Sequence, residues 1–252
     1  MSGFLEGHTV RRYDGELNHL HLLVLEMGGL VLAQCDDALT ALAQARLSLA
    51  HEVIRREATV DRLELRLDDD VWWEVGRRNP VARDLRAVMA FSKAVADLER
   101  IGDEAARIAH VAVDIYGSDR ARPDPALLRD VATMGHLAVG MLREAVRFFD
   151  SLDAPEARKV LERNTDLDAE FRSSLRRLST FVLEDARNIG HAVNAVVVLK
   201  SLERIGEHAR GLAQYVIYLV RGEDVRHSTM TPGAEPEDGG ADPGPHDADP
   251  DG

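Results

Sequence analysis

A single cysteine, Cys35, stands in 252 residues, so no disulfide can form within the chain and nothing in the thiol content argues for an oxidising compartment. Its neighbours Val31, Leu32, Leu39 and Leu42 place it in a helical pattern, as a small core residue. Aromatic residues are scarce at 5%, while Ala, Leu, Val, Arg and Glu dominate, a vocabulary of helices and not of strands. Long apolar runs are missing as well. Stretches such as 195–199 and 216–220 fall far short of the roughly 20 residues needed to cross a bilayer. The opening MSGFLEGHTVRRYDGEL lacks the apolar stretch of a signal peptide and is too acidic for a transit peptide, so a cytoplasmic location is expected. Basic residues are in deficit: 31 Lys plus Arg against 44 Asp plus Glu, a net charge of −13. That excludes nucleic acid as the first partner to consider, because phosphate affinity needs a basic footprint. Phosphate-cradling glycine loops, the dinucleotide fingerprint and the G-x-S-x-G elbow are also absent.

Residues 228–252 hold five of the nine prolines, five glycines and seven acidic residues, with no Lys, Arg or large aliphatic side chain except Met230. Such a tail cannot bury a core and is expected to be disordered. The other prolines, at 80, 123, 125 and 155, mark breaks in a helical pattern. Asn79-Pro80, Asp124-Pro125 and Asp153 two before Pro155 read as capped helix starts. Between these breaks the three- and four-residue apolar spacing predicts six helices, over 16–45, 49–77, 81–116, 125–151, 155–183 and 187–221. Trp72 and Trp73 precede the turn at 77–80, where one is expected to pack and the other to cap the bundle end.

The chain also repeats itself. Residues 98–102 read LERIG and residues 202–206 read LERIG again, 104 positions later; VIRREATVD at 53–61 maps more weakly onto VLERNTDLD at 160–168, at a separation of 107. The third helix thereby falls on the sixth and the second on the fifth, so the expected fold is all-α, two tandem three-helix bundles related by internal duplication. The implied boundaries are an N-terminal segment at 1–15, a first bundle at 16–118, a linker at 119–124, a second bundle at 125–227 and the tail.

Glu57 and Asp61 are four apart on one helix, as are Glu99 and Asp103 on the next, so each pair shares a helix face at a repulsive spacing. Solvent-exposed salt bridges to Arg55, Arg56, Arg86 or Arg100 would explain this simply. Recurrence argues for more: the second half carries Asp168, Glu203 and Glu207 at the mapped positions, with Asn164 opposite Glu57. Antiparallel packing of the two helices would gather these carboxylates into an oxygen-rich site suited to Mg²⁺, Mn²⁺, Ca²⁺ or iron, and poor for zinc. Gly102 and Gly206, inside these helices, are expected to admit a close neighbour. A ferritin-like di-iron bundle would need two E-x-x-H motifs. Glu16-Leu17-Asn18-His19 is the one found.

These residues resemble a known family. The duplicated LERIG followed by Asp103 or Glu207, the preceding NPVARDLR at 79–86, Met27-Gly28 and the closing YLVRGEDVRH at 218–227 are similar to the PhoU family of phosphate-transport and phosphate-regulon regulators, over residues 9–227. The resemblance implies two three-helix bundles and multinuclear metal binding through E(D)-x-x-x-D motifs, here Glu57, Asp61, Glu99 and Asp103, with Asp168, Glu203 and Glu207 in the second half. It further implies a non-catalytic negative regulator acting on the transporter's ATPase subunit and on a sensor histidine kinase, commonly as a homodimer. Asp97, with Ser201 as its repeat partner, shares the bias toward the first half.

Overall fold

A computed structural model describes residues 11–78, 80, 82–117, 125–185, 187 and 189–225. Six helices account for nearly all of them: α1 (Arg11–Gln44), α2 (Leu47–Arg78), α3 (Arg83–Tyr116), α4 (Pro125–Ser151), α5 (Ala154–Glu184) and α6 (Ile189–Arg221). The expected linker at 119–124 and the expected disordered tail lie outside the described residues. α1 starts at Arg11, inside the segment set aside as 1–15, because Gly15 costs a helix only about 1 kcal/mol, too little to end one.

Helices α1 to α3 make one bundle and α4 to α6 the other, and the two bundles join where α1 meets α4 and α3 meets α6. These four helices form a central layer around Met27, Phe91, Ile101, Met134 and Phe149, all buried. α2 and α5 flank it, each packed only on its own bundle. A flanking helix needs just one apolar stripe, and α2 buries little beyond Ala50, Val53, Val60 and Leu67. Cys35 lies in the core as expected, and burial pushes its thiol well above the ordinary range.

The duplication is written into the turns and the packing. Ala45 and Leu152, 107 positions apart, both adopt left-handed backbone (φ 54° and 53°) after α1 and α4. Each turn is closed by a bond back to the last turn of the helix, Arg46 N to Ala41 O at 3.0 Å and Asp153 N to Phe148 O at 3.2 Å, the motif that usually selects glycine. Where the bundles meet, a Cβ on Gly28 would lie 3.1 Å from Val146, and one on Gly135 would lie 2.8 Å from Leu39. Gly28 and Gly135 are repeat partners, as are Leu39 and Val146, so the halves are related by a pseudo-two-fold axis between α1 and α4. Asp36 and Arg143 are repeat partners too, and they bond to each other at 3.0 Å across that axis.

Two expectations are corrected. α3 does not begin at Asn79-Pro80: Pro80 precedes the helix, Ala82 takes φ 46°, and the first turn opens with Arg86 N to Ala82 O. A left-handed residue at 82 interrupts the helical run that proline would have started. Neither tryptophan packs: Trp72 and Trp73 are 75% and 61% exposed, with the Arg77 guanidinium 4.5 Å above the Trp73 ring. Pro125 is the first described residue of α4, its expected cap Asp124 lying outside the described residues, and Asp153 caps α5 as expected by accepting Glu156 N–H at 3.1 Å.

Candidate metal centre

Antiparallel packing of α2 on α3 brings the first-half carboxylates together. At Gly102 a Cβ would lie 3.3 Å from Val60 Cγ1; the absent side chain lets α2 settle against α3. Along α2 the inward stripe runs Ala50, Val53, Glu57, Val60, Glu64, Leu67, in alternating steps of three and four. Glu57 and Glu64 therefore occupy places where a packed seam calls for apolar side chains. Partial burial, then Asp103 and Asp61, raise the Glu57 carboxyl above its ordinary value. Glu64 is raised by burial and by Asp68, Asp61 and Asp103. Glu99 is pushed up to about 6 by burial, then by Asp103, Glu64 and Asp61. Asp103 is raised by burial, Asp61 and Glu104. Five carboxylates thus act on one another: the four expected residues Glu57, Asp61, Glu99 and Asp103, together with Glu64.

Arg100, Arg107 and Arg204 temper these shifts through space, but the cations around the seam make their ion pairs outside it. Arg100 leans toward Asp97 at 3.8 Å, Arg107 and Arg204 reach Glu104 at 3.5 and 2.6 Å, and Arg56 bonds Asp37 and Glu52. The salt-bridge account of the acidic spacing therefore fails for these five. Among the described residues no three of His, Cys, Asp and Glu converge closely enough to grip one ion. The donor chemistry is nonetheless that of a hard cation. Glu57, Glu64, Glu99 and Asp103, raised first by burial and then by their acidic neighbours, would be stabilised by any multivalent ion they share.

The second half folds alike but carries a different site. A Cβ on Gly206 would lie 2.0 Å from Leu167, the repeat partner of Val60, so α5 meets α6 as α2 meets α3. Asp168 accepts an N–H from Asn164 at 3.3 Å, and Glu203 is ion-paired with Lys200. Glu207 is exposed. In place of Glu64 stands Phe171, with the Lys200 ammonium 5.6 Å above its ring. Lys200 thus sets a cation beside Glu203 in the second half, at a place where the first half has Ala96.

Asp97 does not join the acidic seam. It is buried between the bundles, where it accepts bonds from His208 Nδ1 and Tyr215 Oη, both at 2.9 Å. Gly211 makes room for it, since a Cβ there would lie 2.6 Å from Asp97 Oδ2. Its role is to lock α3 on α6. His19, the histidine of the ferritin-like motif, reaches Asp70 at 3.5 Å and is half-exposed. A groove of about 380 Å³ between α1 and α4, lined by Asp36, Leu39, His136 and Arg143 among others, includes none of the seven expected carboxylates. Glu64 was missed because the motif reads steps of four; the alternation of three and four along α2 is the signal that exposes it.

A duplicated three-helix-bundle protein with an acidic seam between two helices of its first half is the class that fold and site define. The PhoU domain matches residues 24–112 and 131–216, one copy in each bundle. A phosphate-specific transport system accessory protein PhoU homolog of Pseudomonas putida is 39% identical over 223 residues, 88% of this chain and 86% of the relative. The protein of that description from Escherichia coli K12 is 33% identical over 88% of this chain and 91% of its own length. A crystal structure of PhoU from Pseudomonas aeruginosa superposes with a TM-score of 0.80 at 38% identity, over 84% of this chain and 100% of that one. The chain belongs to the PhoU family.

Proposed function

We propose that this protein is a non-catalytic negative regulator of phosphate uptake and of phosphate-responsive gene expression. It acts as a metal-binding adaptor between the ATPase subunit of a phosphate transporter and a sensor histidine kinase, in the cytoplasm and as a homodimer. Support for the phosphate-transport setting comes from the family and from the names its relatives carry. No described helix is long and apolar enough to cross a membrane, in keeping with an adaptor that meets membrane machinery from outside the bilayer.

The observation that carries the metal reading is the set of five mutually repelling carboxylates on α2 and α3. Glu57, Asp61, Glu64, Glu99 and Asp103 would hold Mg²⁺, Mn²⁺ or iron. A bound ion would supply a fixed positive charge on the outer face of a rigid bundle. Unlike a flexible lysine, it keeps open coordination places through which a carboxylate or phosphate of a partner can dock.

Deletion of the gene tests the regulatory role: phosphate uptake and starvation-gene expression should both rise in phosphate-rich medium, and unchanged values would refute it. Complementation with Glu99→Ala/Asp103→Ala then tests the metal. This variant should lack metal when purified without chelator and should fail to bind the kinase. Equal metal content and equal kinase binding in both forms would remove the metal from the mechanism while leaving the regulatory role standing.

A further inference from the structure

Among the repeat-equivalent positions at which the two seams differ, several bear on charge. Glu57 and Glu64 of α2 become Asn164 and Phe171 of α5, and Ala96 of α3 becomes Lys200 of α6. The first seam thus holds five carboxylates and no ammonium, whereas the second keeps Asp168, Glu203 and Glu207 and gains one. Lys200 is half-exposed, yet its ammonium is held at two places. Its ammonium pairs with Glu203, whose side chain is only 14% exposed, and it lies over Phe171 at a distance suited to a cation–π contact. Asn164 complements this arrangement, since its Nδ2 donates to Asp168 where Glu57 would repel.

We propose that Lys200 is a built-in replacement for a metal ion: its ammonium fills, in the second half, the cation place that the first half keeps for a multivalent ion, so this chain binds metal through its first half alone. The proposal rests on the metal reading of the first half. It gives a distinct role to each half, one seam responsive to metal supply and the other permanently neutralised. An ammonium stabilises the carboxylates it touches but offers no open coordination place, so only the first seam can bridge to a partner's oxygen ligand.

Equilibrium dialysis against Mn²⁺, with circular dichroism to confirm helicity, tests this on the full chain. Wild type and Glu203→Gln/Glu207→Gln should bind equal amounts of Mn²⁺, Glu99→Gln/Asp103→Asn should lose it, and Lys200→Ala/Asn164→Glu should bind double. Loss of Mn²⁺ in the Glu203→Gln/Glu207→Gln protein overturns the proposal. So does a folded Lys200→Ala/Asn164→Glu protein that binds no more than wild type. Should that protein fail to fold, Lys200→Met keeps the aliphatic packing and must still raise Mn²⁺ binding; no increase refutes the proposal. If wild type binds no Mn²⁺, the reading of the first half falls, and Lys200→Ala/Asn164→Glu decides the second half by itself. Mn²⁺ acquired there and abolished by adding Glu203→Gln supports Lys200 as the replacement, and none acquired refutes it.

Discussion

Replacing Glu99 by glutamine should make the metal-free protein more stable at neutral pH, although it removes a residue of the proposed site. The carboxyl of Glu99 is moved from 4.5 in the unfolded chain to about 6 in the fold, so the fold disfavours its ionised form. Between those values the native state binds more protons than the unfolded state, and stability falls as pH rises through this window. The penalty is complete above pH 6 and absent below 4.5. A displacement of this size corresponds to about 2 kcal/mol. Glu99 is only partly buried, and solvent screening halves the figure to about 1 kcal/mol. For a protein of this length that is about 2–4 °C in Tm. Thermal melts in chelator should therefore show Glu99→Gln melting above wild type at neutral pH and level with it near pH 4. With excess Mn²⁺ the order at neutral pH should invert, because only wild type keeps all five carboxylates to bind the ion. A variant that melts at or below wild type at neutral pH in chelator would refute the electrostatic account of the seam.

The other predictions concern packing and can be read from the same melts. Gly206→Ala drives a methyl to 2.0 Å from Leu167 Cδ2 and should cost about 1–3 kcal/mol through overpacking. Gly102→Ala, whose Cβ meets Val60 at 3.3 Å, should be close to neutral, since better helix propensity offsets the crowding by about 1 kcal/mol; the reverse order would contradict the packing described. Ala45→Gly should raise stability by about 0.5–1 kcal/mol by relieving the left-handed backbone at φ 54°, and a drop in Tm would show that no strain is held there. Asp97→Ala removes the acceptor that His208 Nδ1 and Tyr215 Oη share between the bundles and should cost about 2–3 kcal/mol, with faster hydrogen exchange along both α3 and α6; exchange altered in α3 alone would argue against a lock between the halves.

The helices were legible because their signals are local. Apolar spacing and Pro125 and Asp153-Pro155 place four or more turns each, and the LERIG repeat gives the two-bundle plan. The ends of α1 and α4 were legible to within a residue, since expected ends at 45 and 151 meet observed ones at Gln44 and Ser151, but the left-handed turns that close them were not, because Ala45 and Leu152 hold those positions and only glycine there advertises itself. Pro80 misled for a related reason: the turn is set by Ala82, a residue with no preference for it. The union of the bundles depends on pairs over a hundred positions apart, such as Asp97 with His208, and no local pattern announces them. At the site, the four-residue spacing found Glu99 and Asp103 but not Glu64. In the second half, repeat mapping carried carboxylates across faithfully yet said nothing of Lys200, because a position that is neutral in one copy draws no attention in the other.

The bond between Asp36 and Arg143 has a consequence for how such a molecule can arise. In a symmetric pair of separate, identical subunits, a residue beside the two-fold axis meets its own copy, so an aspartate there would face an aspartate and an arginine an arginine. Opposite charges can stand at that place only when the two copies are free to differ in sequence, as the halves of this polypeptide are. A duplicated chain is free of self-complementarity at its axis, so each half can carry there the charge that its counterpart needs.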